Sequence, residues 1–189
     1  MLTDTAVGSH FGTDHLSPVV SRAASRRVEV HPDRYAIVEF DPDRTFECVD
    51  GCSWCCHHGV LLYDRDLIEL AARESLAEST TRVRGEPFVR KTDPDRETHV
   101  GADGRACAFL DAEGRCHLQA THDWKPSRCA IFPLEVWRED GALHVAVRDA
   151  AEVHCEGMDV SERRLIDHLD AFMPPLLWDL ENPDTRREL

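Results

Sequence analysis

Cys48-Val49-Asp50-Gly51-Cys52-Ser53-Trp54-Cys55-Cys56 places four thiols within nine residues, and this stretch decides how the rest of the chain is read. Intervals of two or three residues let a short turn of backbone carry several sulfurs to one metal centre. Outward from it, Cys107, Cys116 and Cys129 sit at turn-rich or turn-flanked positions, and Cys155 precedes the last helical pattern. A tetrahedral zinc takes four ligands, so eight cysteines imply two sites, or one cluster with supporting thiols. In an extended backbone, neighbouring side chains point to opposite faces, so Cys55 and Cys56 would serve two centres more readily than one. Cys48, Cys52, Cys55, Cys56, Cys107, Cys116, Cys129 and Cys155 are therefore the candidate metal ligands, and the expected cofactor is an iron-sulfur cluster or zinc. Cysteines buried only as small hydrophobes explain neither the dense first group nor the double cysteine. Reversible disulfide chemistry is a further alternative.

Composition narrows the setting. With 189 residues, 42% hydrophobic and 31% charged, the chain can bury a core and reads as globular. No stretch approaches the roughly 20 apolar residues of a membrane span. Residues 1 to 25 have no basic start and no continuous apolar segment, so export is not expected. A cytoplasmic setting follows, where thiols stay reduced. The net charge of -14 and the absence of a basic stripe argue against nucleic-acid binding, which rests on Lys and Arg neutralising phosphates. Neither a nucleic-acid nor a membrane partner is expected, and the sequence names no protein partner.

Residues 1–27 are polar and without period, which reads as an arm. Val28 to Val30 and Tyr35 to Phe40, parted by His31-Pro32-Asp33, predict two short strands. Leu67, Ile68, Leu70 and Ala71 give a buried face to a helix of about 66–77, with Asp64 as its cap. Residues 79–104 are charged and read as a surface excursion. Asp103-Gly104 and Glu113-Gly114 punctuate predicted strands over 106–110 and 115–118, and Asp140-Gly141 closes a hairpin of 134–138 with 142–148. A helix is expected from Asp159, with Glu162 completing a capping box, to Pro174-Pro175. The fold class is α+β: a small irregular, metal-stapled domain of short antiparallel hairpins with a few helices. Residues 28–158 form the cysteine-cluster domain, and 159–189 a helical segment packed on it.

The stretch from Cys48 to Cys56, followed by VLLYDRDLIEL, by Cys107-Ala108-Phe109-Leu110, by Gly114-Arg115-Cys116 and by Pro126-Ser127-Arg128-Cys129-Ala130-Ile131-Phe132-Pro133, resembles the CxxCxxCC family of zinc- or iron-chelating proteins. That family includes the YkgJ-like cysteine-cluster proteins and, more distantly, flagellin lysine N-methylase. The resemblance covers about 46–155 and implies a metal or iron-sulfur site. Three residues separate Cys48 from Cys52, where the family's name has two. This spacing, with Trp54 before Cys55, is also that by which radical S-adenosylmethionine enzymes hold a [4Fe-4S] cluster. Only 134 residues follow Cys55, mostly in hairpins, where those enzymes have a long strand-helix barrel.

Other groups are open to both a chemical and an ordinary reading. His57, His58 and His117 flank cysteines and are candidate ligands, though a packed histidine is the commoner case. Trp54 and Trp124 would shield a site or simply pack. Arg105, Arg115 and Arg128 precede cysteines and would lower thiol pKa, although 20 arginines also fall near cysteines by chance. His122-Asp123 has no nucleophile or phosphate loop beside it. The leading expectation is a metal-binding protein holding iron-sulfur or zinc, as a redox or cluster-bearing module. A [4Fe-4S]-dependent methyl-transferring or radical-type enzyme and a structural zinc module for protein interaction are the alternatives, and whether the chain is an enzyme is left open.

Overall fold

The computed structural model describes residues 25–49, 52–93 and 104–186; all but the last residues of the polar arm expected over 1–27 lie outside them. The backbone begins with strand β1 (Arg26–His31), which turns at Asp33 (φ 60°) into β2 (Arg34–Val38). The cysteine-rich stretch and a 3₁₀ turn over Trp54–His57 follow. Helices α1 (Asp64–Ala71) and α2 (Leu76–Ser79) lead into the hairpin β3 (Thr80–Val83) and β4 (Glu86–Val89). Short strands β5 (Lys91–Thr92) and β6 (Ala106–Cys107), helices α3 (His117–His122) and α4 (Ser127–Ile131), and the hairpin β7 (Leu134–Glu139) and β8 (Ala142–Val147) come next. Helices α5 (Asp149–His154) and α6 (Leu169–Phe172) follow, and a 3₁₀ turn over Pro175–Trp178 closes the order.

The largest sheet runs β1-β2-β8-β7. Its outer pairs are antiparallel hairpins, as the alternation predicts. The inner pair is parallel, with Ala36 opposite Leu143 and Val38 opposite Val145, and the long connection that a parallel pair needs carries seven of the eight cysteines, Cys48 to Cys129. One face carries Ala36, Val38, Leu134, Val136, Leu143, Val145 and Val147, all buried. Leu165, Leu169, Phe172, Met173 and Leu177 from the C-terminal segment cover it. Thr185 finishes the β7 edge: its N–H donates to Val136 O at 2.8 Å, and its hydroxyl oxygen accepts the Val136 N–H at 2.8 Å. This covers the backbone groups of one residue of the edge strand, at the middle of β7.

A second, smaller core lies on the other side of the cysteines. Leu62, Leu70, Val89, Phe109 and Leu118 form it, and Cys107, Cys116 and Trp124 pack against it, whereas Cys155 and Phe132 pack against the first. The cysteine region thus lies between two apolar clusters contributed by distant segments.

Several expectations are corrected. The helix expected over 66–77 starts at Asp64, breaks after Ala71 and resumes at Leu76. Its cap is the Asp66 carboxylate, not Asp64: Asp66 Oδ2 accepts the Tyr63 N–H at 3.0 Å. The charged stretch from 79 is not wholly an excursion, since β3 and β4 pair there and bury Phe88 and Val89; positions 94–103 lie outside the described residues. The hairpin expected over 106–118 shrinks to one bridge, Leu110 with Cys116. Asp111 closes the intervening loop by accepting the N–H groups of Glu113 and Arg115 at 3.0 and 2.8 Å, and Cys116 then opens a helix. The helix expected from Asp159 starts late: Asp159 adopts φ 56°, and regular turns begin with a 3₁₀ segment at Leu165–His168. Glu47 N–H donates to Gly157 O and Asp159 N–H to Thr45 O, each at 3.0 Å, so residues 157–159 are drawn into strand-like pairing that a helix would forbid.

Candidate metal centre

The first thiol group is set by a tight turn. Cys52 N–H reaches Val49 O at 3.2 Å, and Cys56 N–H donates to Ser53 O at 2.8 Å, starting the 3₁₀ turn. Cys55 and Cys56 are therefore not on an extended strand, and opposite faces are not what separates them. In a 3₁₀ turn successive side chains diverge by about 120°, and here the two thiols hydrogen-bond to each other. Ser53 Oγ lies 3.2 Å from His57 Nε2, both buried, which pins the turn from behind.

The other sulfurs arrive on separate elements. Cys107 ends β6, and its Sγ accepts the Phe109 N–H at 3.5 Å. Cys116 is the residue before α3, Cys129 lies within α4, and Cys155 follows α5. α4 is anchored to α1 by Asp66, 2% exposed, whose Oδ1 accepts the Ser127 N–H at 2.9 Å and its hydroxyl at 2.7 Å. Cys155 is fixed against the first group by the pairing of Glu47 with Gly157 and of Phe46 with Met158. A Cβ on Gly157 would lie 2.1 Å from Glu47 O, so only glycine permits this approach.

These elements enclose a cavity of about 350 Å³ lined by Cys48, Cys52, Cys55, Cys129 and Cys155. Phe46, Trp54, Trp124, Phe132 and Phe172 supply apolar wall, and Lys125 is its cation. Trp54 stacks on His154 at 5.0 Å and lies 4.3 Å from the ring of His58. Cys56, Cys107 and Cys116 lie outside the cavity lining, yet Cys107 and Cys129 raise the pKa of Cys56, and Cys116 raises those of Cys107 and Cys129. Cys48, Cys52 and Cys55 act likewise on Cys155. Cys55 is common to both sides, interacting with Cys56, Cys107 and Cys129 on one and with Cys155 on the other. All eight are free thiols.

The electrostatics favour a bound cation. Burial pushes Cys129 well up and Cys107 up to about 12, with neighbouring sulfurs adding to both. The hydrogen bond with Cys55 and burial drive Cys56 up as well. Cys55 moves the other way, to about 7, chiefly because Cys56 donates to its thiolate and secondarily because Lys125 is near. Several thiolates crowded into low dielectric repel one another, and a metal supplies the positive charge that offsets this. A donor set of soft sulfurs inside an apolar wall suits zinc or iron-sulfur. Among the described residues, no three cysteine sulfurs lie within 4.8 Å of one another. Zinc–sulfur bonds of about 2.3 Å would set tetrahedral sulfur–sulfur edges of about 3.8 Å, so the thiols converge without forming a closed tetrahedron.

Of the other expected residues, the arginines are engaged chiefly by other partners, although Arg128 also interacts electrostatically with Cys129. Arg105 pairs with Asp93 and Arg115 with Asp111 and Glu113, while Arg128 donates to Thr185 O at 2.9 Å. The cation that lowers the pKa of Cys55 is Lys125, which the sequence reading did not assign that role; its signal was being one of only two lysines, four residues before Cys129. Trp54 and Trp124 both line the cavity. His117 and His122 turn to Glu74, and Asp123 accepts from Gln119 Nε2 at 2.6 Å. Among the described residues, no helix is long and apolar enough to cross a membrane.

No curated protein and no solved structure matches the sequence. A family model covers residues 47–156, which is more than half of the chain and takes in all eight cysteines. The protein belongs to the CxxCxxCC family, described as a "putative zinc- or iron-chelating domain".

Proposed function

We propose that the cysteine region holds an iron-sulfur cluster, with four of its thiols as ligands and the others in support, and that the protein is a redox or cluster-bearing module of a reducing compartment. The observation that carries this reading is the cavity lined by five thiols, with Cys56, Cys107 and Cys116 behind it. A polynuclear cluster binds its thiolates through different irons, so its ligands stand farther apart than those of one ion. The wide spacing of the sulfurs agrees with that demand better than with a single zinc. The aromatic wall would limit water at the cluster, a means by which proteins tune its potential.

The test is elemental analysis for iron, sulfide and zinc on protein purified without oxygen, together with its visible spectrum. Iron with acid-labile sulfide and broad sulfur-to-iron charge-transfer absorption is the expected result. Colourless protein carrying stoichiometric zinc would replace this reading with a structural zinc module. Reduced protein that cleaves a methyl donor would instead make it an enzyme.

A further inference from the structure

Beside the cysteine region, Glu74 Oε1 lies 3.4 Å from His117 Nε2 and 3.5 Å from His122 Nε2. The ligand atoms of the three residues all fall within 4.8 Å of one another. Both contacts are long for charge-assisted hydrogen bonds, which measure about 2.7–2.9 Å. They do match the edge of a coordination tetrahedron: bonds of about 2.0–2.2 Å to nitrogen and oxygen place neighbouring ligands about 3.3–3.6 Å apart. The two imidazole rings meet edge-on, centroids 6.2 Å apart and planes at 88°, so they do not stack over the space between them.

The supporting structure holds these atoms in place. His117 and His122 bracket α3, and Glu74 follows the end of α1, its N–H donating to Leu70 O at 2.8 Å. Thr121 Oγ1 lies 3.3 Å from His117 Nδ1. That contact occupies the far nitrogen and leaves Nε2 to face Glu74, as the outer contacts of metal-bound histidines do. The side chain of His117 is 51% exposed, and those of His122 and Glu74 are each 27% exposed, so a bound ion would reach solvent on one side.

We propose that Glu74, His117 and His122 form a second, mononuclear site for a divalent transition ion, distinct from the cysteine cluster. Two imidazoles and one carboxylate are a borderline donor set, suited to zinc or iron(II) and unlike the thiolates next to it. Three protein ligands leave a coordination position for water. The proposal does not rest on the cluster reading, because none of its ligands is a cysteine.

The test uses full-length protein as isolated, with whatever metal its cysteines hold, titrated with zinc(II) and separately with cobalt(II). Wild type is expected to take up one equivalent more than His122→Ala or Glu74→Gln. The cobalt it gains should show ligand-field bands without sulfur-to-cobalt charge transfer. Thr121→Val keeps all three ligands and should weaken zinc binding about 10-fold or more, a change that misfolding would not mimic if far-ultraviolet circular dichroism is unaltered. Equal zinc uptake by wild type and both ligand variants overturns the site, as does extra cobalt bound through sulfur.

Discussion

Replacing Asp66 by alanine probes the link between helix packing and the metal centre. The carboxylate is 2% exposed and accepts three hydrogen bonds, from Tyr63 N–H, Ser127 N–H and the Ser127 hydroxyl. Alanine removes the cap of α1 and the anchor of α4 at once, and strands donors that water can barely reach. At about 1–1.5 kcal/mol for each lost bond, the expected destabilisation is about 3–5 kcal/mol. Against a total stability of about 5–15 kcal/mol for a domain, this is a large fraction. At about 2–4 °C per kcal/mol for a chain of this size, the melting temperature of metal-free protein should fall by about 6–20 °C. Because α4 carries Cys129, bound metal should fall as well, and excess metal should restore part of the stability, since binding favours the folded state. Urea unfolding of metal-free wild type and Asp66→Ala measures the first effect, and metal content the second. A change in unfolding free energy below about 1 kcal/mol would refute the role given to this carboxylate.

Gly157→Ala should separate the Cys48 and Cys155 segments, because the new Cβ would lie 2.1 Å from Glu47 O. A stability loss of about 1–3 kcal/mol with reduced metal content is expected, and unchanged metal content would show that this close approach is dispensable. Cys55 should be the thiol that iodoacetamide labels fastest at neutral pH in metal-free protein. Mapping by mass spectrometry should show labelling slowed more by Cys56→Ala than by Lys125→Met, since the Cys56 hydrogen bond is the larger cause of the lowered pKa; the reverse order would contradict that ranking. Metal-free protein should also lose stability as pH rises from about 9 towards 12. Unfolded chains release thiol protons near the ordinary value of 9.0, while the folded state keeps Cys107 protonated up to about 12 and Cys129 beyond its usual range. Cys55, lowered to about 7 in the folded state, adds stability as pH rises from about 7 to 9 and little slope beyond. Denaturant midpoints that stay flat across this window would oppose the burial assigned to these thiols.

Local spacing along the chain determined a good deal. The dense cysteine group, the pairs of turn residues and the alternation of Leu143, Val145 and Val147 are short-range patterns, and they announced a sulfur-rich metal site, the β7–β8 hairpin and an α+β fold. Such patterns carry no information on how distant segments meet, which is why the parallel pairing of β2 with β8 was not legible. The cap is misplaced because the spacing puts Asp64 before the helix: the helix starts at Asp64, so that Asp66, at its third position, reaches back to the Tyr63 N–H and also accepts from Ser127, 61 residues away. Asp159 and Glu162 have the sequence of a helix start, but pairing with Thr45 and Glu47 provides competing partners, and tertiary contact overrides local preference.

Which sulfurs face one another, and which cation faces them, likewise belonged to the tertiary structure alone. The 3₁₀ turn at Trp54–His57 put Cys55 and Cys56 in mutual contact where an extended reading had them apart. Packing on two cores then brought Lys125 to Cys55, and Glu74 to His117 and His122. The sequence by itself determined what kind of atoms this protein offers to a metal; the tertiary structure decided which of them meet, because electrostatic and coordinative forces act through ångströms of space and not through positions along the chain.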